Sequence, residues 1–192
     1  IPYLTHKEAL LRLSAVMVGG LLPRHEQSQL LSERLKDPLK SIRIEAARGL
    51  LNQGLQSHNQ ALFTKAFNEL VNANQVSIWR GEGRLNQAIV SLTMGKWLEA
   101  EKDLLKSIEI DPYFEVSYIN LAEVYRQQQR KDKERAVLKK ALKNLPKSAP
   151  LNYAYGLFLV RQQQHKEAVA YFELANRISP TESQYMYTYA LA

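Results

Sequence analysis

The side chains best suited to chemistry in this 192-residue sequence are four histidines, His6, His25, His58 and His165, scattered without the spacing a metal ion requires. There is no cysteine, which excludes a disulfide framework, a zinc finger and a CxxCH haem-attachment site within these residues. The Gly-Glu-Gly-Arg string at 81–84 follows no strand pattern, so it does not read as a phosphate-binding loop. No nucleophile elbow is present, and the carboxylates are spread along helix faces as solvated charges. The chain therefore reads as non-enzymatic, with no catalytic, cofactor-binding or metal-ligating residues. The densest charge lies at 130–147, with eight basic and two acidic side chains. Leu138, Ala141 and Leu142 read as the inward stripe there, leaving Lys133, Arg135, Lys139, Lys140 and Lys143 on the outer surface. That face is either a solvated surface or a contact for phosphate backbones or anionic lipid. Without interleaved aromatics for stacking, the solvated reading is the better one, against nucleic acid and membrane.

The elements that carry these residues are set by a period. Pro112, Pro146 and Pro180 stand 34 residues apart. A fixed period of that length marks an array of helix pairs. Composition agrees, being 45% hydrophobic and 23% charged, enough to bury a core. The formal charge of +7 is spread evenly: residues 1–76 hold nine basic and six acidic side chains, and 77–192 hold 17 and 13. The apolar run Leu10 to Leu22, interrupted by Arg12 and Gly19-Gly20, is too short to span a bilayer and reads as a buried helix.

Counting from the prolines, the third block has Tyr155-Gly156, Ala168, Phe172, Ala175 and Pro180. The second has Tyr118, Leu121-Ala122, Tyr125, Ala141 and Pro146, and the first has Ala88, Gly95, Ala100, Leu104, Ser107 and Pro112. Small residues let paired helices approach, and proline ends the second helix because it has no N–H to donate. These offsets resemble the tetratricopeptide repeat (TPR) family. The resemblance implies an all-α fold, a right-handed superhelix of antiparallel helix pairs (an α-α solenoid). Repeats fall at about 81–114, 115–148 and 149–182, with a truncated fourth at 183–192. Gln129 and Gln163 replace Gly95 in the helix–helix turn, so those two turns are expected to be reshaped. Gln87, Ser91 and Glu134 also depart from the pattern. The tyrosines of the last segment, Tyr185, Tyr187 and Tyr189, read as a sticky end able to self-associate.

In this family the first helix of each repeat lines a concave groove. Carried onto this sequence, the lining is Leu85 and Ile89, then Ile119, Glu123 and Arg126, then Tyr153, Leu157, Val160 and Arg161. The implied function is non-catalytic protein–protein interaction or scaffolding, an apolar groove edged by two arginines and taking a peptide or helix. Its occupant is either an external partner or further helices of the parent protein, which would make the piece a purely structural spacer, as in a multidomain enzyme. The carboxylate clamp of chaperone-binding members is absent: Asn120 fits, but Leu85, Ile89, Pro150 and Ala154 stand where other clamp groups belong.

Before residue 77 the period fails but helical patterning continues. Helices are expected over 5–18, 24–36, after Asp37-Pro38, and over 58–75. The string Asp37-Pro38, Ile42-Arg43, Ala46-Ala47, Leu50 resembles a HEAT repeat, so residues 1–76 read as HEAT-like helices with a linking helix, and 77–192 as the TPR array. A HEAT-like segment leading into TPRs is similar to the C-terminal region of bacterial multihaem c-type cytochrome proteins. That resemblance implies a periplasmic or otherwise exported parent with haem c held upstream; without it, a cytoplasmic one is expected. No haem site maps onto any residue here.

Overall fold

The computed structural model describes residues 3–19, 22–52 and 59–192; the side chains of Arg24, His25 and Asn52, and all of His58, fall outside the description. Among the described residues there are eleven α-helices and no strand. The chain divides into two compact units, one of residues up to 78 with 86–96, the other of 79–85 with 97–192.

The first unit holds α1 (Ala9–Gly19), α2 (Arg24–Arg34), α3 (Lys40–Asn52) and α4 (Gln60–Val76), with most of α5 (Gly81–Thr93). Its core is Val16, Leu31, Leu35, Ile42, Ala46 and Leu50, the apolar faces of the first three helices. Leu70 of α4 and Val90 of α5 join Ile44 in a second cluster. Arg12 and Arg43, one on α1 and one on α3, adopt the same pose. Each sends one guanidinium nitrogen to the carbonyls six and five residues earlier, His6 and Lys7 for Arg12, Asp37 and Pro38 for Arg43. Each then pairs with a carboxylate about 25 residues downstream: Arg12 with Asp37 at 2.9 Å and Arg43 with Glu69 at 2.7 Å. Asp37 also accepts the Leu39 N–H at 3.0 Å, opening α3. Burial, the largest influence on Asp37, pushes its carboxyl up, but the Arg12 and Leu39 bonds outweigh it and hold it below the usual range.

The second unit holds the first turn of α5, then α6 (Trp97–Ile110), α7 (Glu115–Gln127), α8 (Lys131–Asn144), α9 (Ala149–Arg161), α10 (His165–Ile178) and α11 (Ser183–Leu191). Its interior is filled by Leu104, Tyr118, Leu121, Leu138, Leu151, Phe158 and Phe172, each at most 1% exposed. Full burial of such side chains is worth roughly 1.5–3 kcal/mol each. Small residues sit where helices close on one another: a β-carbon at Gly156 would meet the Phe172 ring at 2.5 Å. The period is also visible in hydrogen bonds. The Pro112 carbonyl accepts from the Tyr118 hydroxyl at 3.0 Å, and the Pro146 carbonyl from the Asn152 amide at 3.0 Å. In both cases a residue six places on, in the next repeat's first helix, satisfies a carbonyl freed at a helix end.

The expected reshaping of the glutamine turns is not found. Gly95, Gln129 and Gln163 all take left-handed backbone, with φ of 71°, 59° and 60°. The bonds match too: Lys96 N–H to Ser91 O, Arg130 N–H to Tyr125 O and Gln164 N–H to Leu159 O are each 2.9 Å. This six-to-one closure satisfies the last carbonyls of each first helix, and it outweighs the local cost of a side chain at positive φ.

Candidate recognition groove

The α7 and α9 helices are the first helices of consecutive 34-residue blocks, and their exposed faces form one wall and floor of a groove of about 540 Å³. Six of the residues expected at a binding surface line it together: Ile119, Glu123 and Arg126 from α7, Tyr153, Leu157 and Arg161 from α9. Ile119, Tyr153 and Leu157 are half-buried, so the floor is apolar yet reachable. Three expected residues lie elsewhere. Val160 is half-buried on α9 outside this lining. Leu85, 5% exposed, is part of the interior of the second unit. Ile89 belongs to the first unit, where it borders a small hollow of about 120 Å³ with Arg48, Leu51 and Leu70.

Both expected rim arginines are already engaged. Arg126 clasps Glu123, its Nε donating at 2.6 Å and a second nitrogen also donating to the same carboxylate. Gln127 donates to Glu123 at 2.7 Å. Arg161 donates to Glu134 of α8. The Arg126 hydrogen bond holds the Glu123 carboxyl below its usual range. Glu134 behaves oppositely: it is 4% exposed, and burial pushes its carboxyl up despite Arg161. The groove end thus carries two matched ion pairs rather than two open cations.

Further lining residues come from outside the first helices of the second and third blocks. Glu134 and Leu138 come from α8, Gln184 and Tyr185 from α11. Glu134 carries a signal in the sequence: a long acid at a position that favours a small residue must find a partner or water. Tyr185 packs on Tyr153 with ring centroids 4.9 Å apart, and Gln184 donates to the Tyr153 hydroxyl at 3.0 Å. The α11 helix therefore builds the groove's edge, while its Tyr187 stays 68% exposed. On α8, Lys133, Arg135, Lys139, Lys140 and Lys143 are all exposed, as their helical register implies. Among the described residues no cluster of three metal-binding side chains occurs, and no helix is long and apolar enough to cross a membrane.

A groove built from consecutive antiparallel helix pairs defines the fold class as an α-solenoid. Residues 116–146 and 149–182 match the tetratricopeptide repeat family, so the chain carries TPR repeats across its second and third blocks. Solved structures agree on the fold. A thermophilic TPR protein of Thermus thermophilus, TTC0263, superposes with a TM-score of 0.60 at 16% identity, covering 94% of this chain and 92% of its own. MamA gives 0.53 at 17% identity, over 81% of this chain and 88% of its own. YrrB, described as a TPR protein with an unusual peptide-binding site, gives 0.51 at 12% identity, over 96% and 93%. Identities this low establish the solenoid fold alone. No curated protein matches the chain by sequence.

Proposed function

We propose that this chain is a non-catalytic interaction module whose α7–α9–α11 groove holds a segment of a partner polypeptide. The observation that carries this reading is the half-buried apolar floor of Ile119, Tyr153 and Leu157, framed by side chains fixed through hydrogen bonds. Such a floor takes apolar anchors of a helix or extended strand. The peptide-binding site of a protein sharing the fold is in keeping with it. Because Arg126 and Arg161 are paired, anchoring is by apolar side chains, with carboxylates of the ligand playing a lesser part. The test is selection of binders from a displayed peptide library. Leu157→Glu and Ile119→Glu should abolish binding of the selected peptides while helicity by circular dichroism is unchanged, and Lys140→Glu should not. Selected peptides indifferent to Leu157→Glu would place recognition elsewhere.

The N-terminal unit is proposed as HEAT-like, a reading supported by the recurrent pose of Arg12 and Arg43. The resemblance to multihaem cytochrome proteins further supports an exported parent in which this piece is an interaction arm and haem is held upstream. Sequencing upstream of Ile1 tests this directly: a signal peptide and several CxxCH motifs are expected, and their absence would remove the reading.

A further inference from the structure

A second surface lies on α6 and α8, the second helices of the first two blocks. Leu98 and Leu105 stand two turns apart on one face of α6, 79% and 48% exposed. Two hollows, of about 600 and 210 Å³, meet there, and Leu105 lines both. Ile108 and Val137 form the floor of the smaller one. The rim is cationic: Lys102, Lys106 and Arg130 border one hollow, Lys133 and Lys140 the other. Only two carboxylates share these linings, and both are occupied. Glu101 is held by Arg130, by Lys133 at 3.5 Å and by the Tyr125 hydroxyl at 3.0 Å, and Glu109 by Lys106 at 2.5 Å. Among the described residues, Lys102 and Lys140 have no carboxylate within ion-pairing distance.

We propose that this face is a second docking surface and that its occupant is an acidic amphipathic helix of a partner protein. Excess cations around an apolar floor call for a ligand with apolar anchors between carboxylates. Leucines two turns apart, about 10 Å, match the repeat of side chains along one helical face. A second copy of this chain is a poor occupant, since each copy carries +7. A nucleic acid would meet the cations but leave the leucines unserved. The one lining aromatic, Tyr125, has its ring already covered by Arg130 at 4.8 Å and Lys133 at 5.6 Å, leaving no platform for a base. The proposal uses none of the α7–α9 groove residues and stands or falls apart from that reading.

The experiment is fluorescence anisotropy with a synthetic helical peptide of about four turns, leucines at i, i+4 and i+7 and glutamates between. Against the whole chain it should bind with salt-sensitive affinity. The double variants Leu98→Ser/Leu105→Ser and Lys102→Glu/Lys140→Glu should each weaken it at least about tenfold. A scrambled peptide of equal composition should lose as much, and Leu157→Glu should change nothing. All substituted side chains are exposed or border the surface, so circular dichroism should remain that of the parent chain. No binding at low ionic strength would overturn the proposal, as would equal binding of the scrambled peptide or of the Leu98/Leu105 variant. So would tighter binding of single-stranded DNA or phosphatidylserine vesicles that ignores the leucine substitutions.

Discussion

A left-handed backbone at Gln129 and Gln163 is the clearest residue-scale departure from what the side chains prefer. Outside glycine this conformation costs roughly 1–2 kcal/mol, because the β-carbon crowds the following carbonyl. Gly95 shows what the turn asks for: the same φ, and open space where a β-carbon would be. Replacing Gln129 or Gln163 by glycine should therefore raise stability by about 1 kcal/mol each, after allowance for the freer unfolded chain, read from urea midpoints. Gly95→Ala should lower it by a similar amount. Gly156 makes the opposite demand. A β-carbon there would press on Phe172, which is 1% exposed and cannot give way. Overpacking of this kind costs about 1–3 kcal/mol, more than the ~1 kcal/mol that helix propensity returns. Gly156→Ala should thus destabilise the chain although it removes a glycine from a helix. Arg161 and Glu134 repeat the lesson for charge. Removing Arg161 strands a buried carboxylate, whereas Glu134→Gln leaves an exposed arginine free to hydrate. Only the first should be costly.

Between residues and molecule, the helix is the level at which the sequence is most legible. Proline at the end of each second helix, and small residues where helices meet, set the register of α7 to α10 directly. Their side-chain directions follow from the helical repeat, so Ile119, Tyr153 and Leu157 fall on one face from the sequence alone. The Glu123–Arg126 pair is legible as an i, i+3 spacing on one helix, but the partner of Arg161 is not, because Glu134 reaches it from a different helix. Nor does the sequence show that α5 divides, its first turn packing with one unit and its remainder with the other. The offset rule for groove positions treats each first helix alike, and α5 is not like the others. Tyr185 reads as part of an exposed end, yet tertiary packing on Tyr153 makes it part of the groove. In the N-terminal unit, Asp37 is the joint on which two elements turn. Its carboxylate takes Arg12 and its carbonyl takes Arg43. Asp37→Ala should lower the urea midpoint, since it removes both the ion pair to Arg12 and the acceptor of the Leu39 N–H that opens α3. Because the folded carboxyl titrates below its unfolded value, its contribution is whole above that value and fades as pH falls through the folded one. The acid limb of a stability profile should flatten in the variant.

At the scale of the whole molecule the tyrosines are unevenly shared. Of ten, only Tyr3 lies in the first unit. Burial raises the phenols of Tyr118, Tyr125, Tyr155, Tyr171 and Tyr185 above their ordinary value. Tyr125 is pushed up to about 12, first by burial and then by its hydrogen bond to Glu101. In each case the folded chain holds a proton that the unfolded chain releases near pH 10. The linkage has one sign for all five: stability is intact below about pH 10 and declines as pH rises toward the folded values. The loss falls wholly on the second unit. Alkaline titration followed by phenolate absorbance should therefore show these five phenols ionising late, as helicity drops. Tyr125→Phe removes the largest of these shifts. It should cost about 1 kcal/mol at neutral pH through the lost bond to Glu101, and it should make the alkaline fall of stability shallower. If the five phenols instead ionise at ordinary pH with helicity unchanged, the packing of α7, α9, α10 and α11 is looser than these contacts require. The groove they frame would then lack the fixed floor on which its recognition depends.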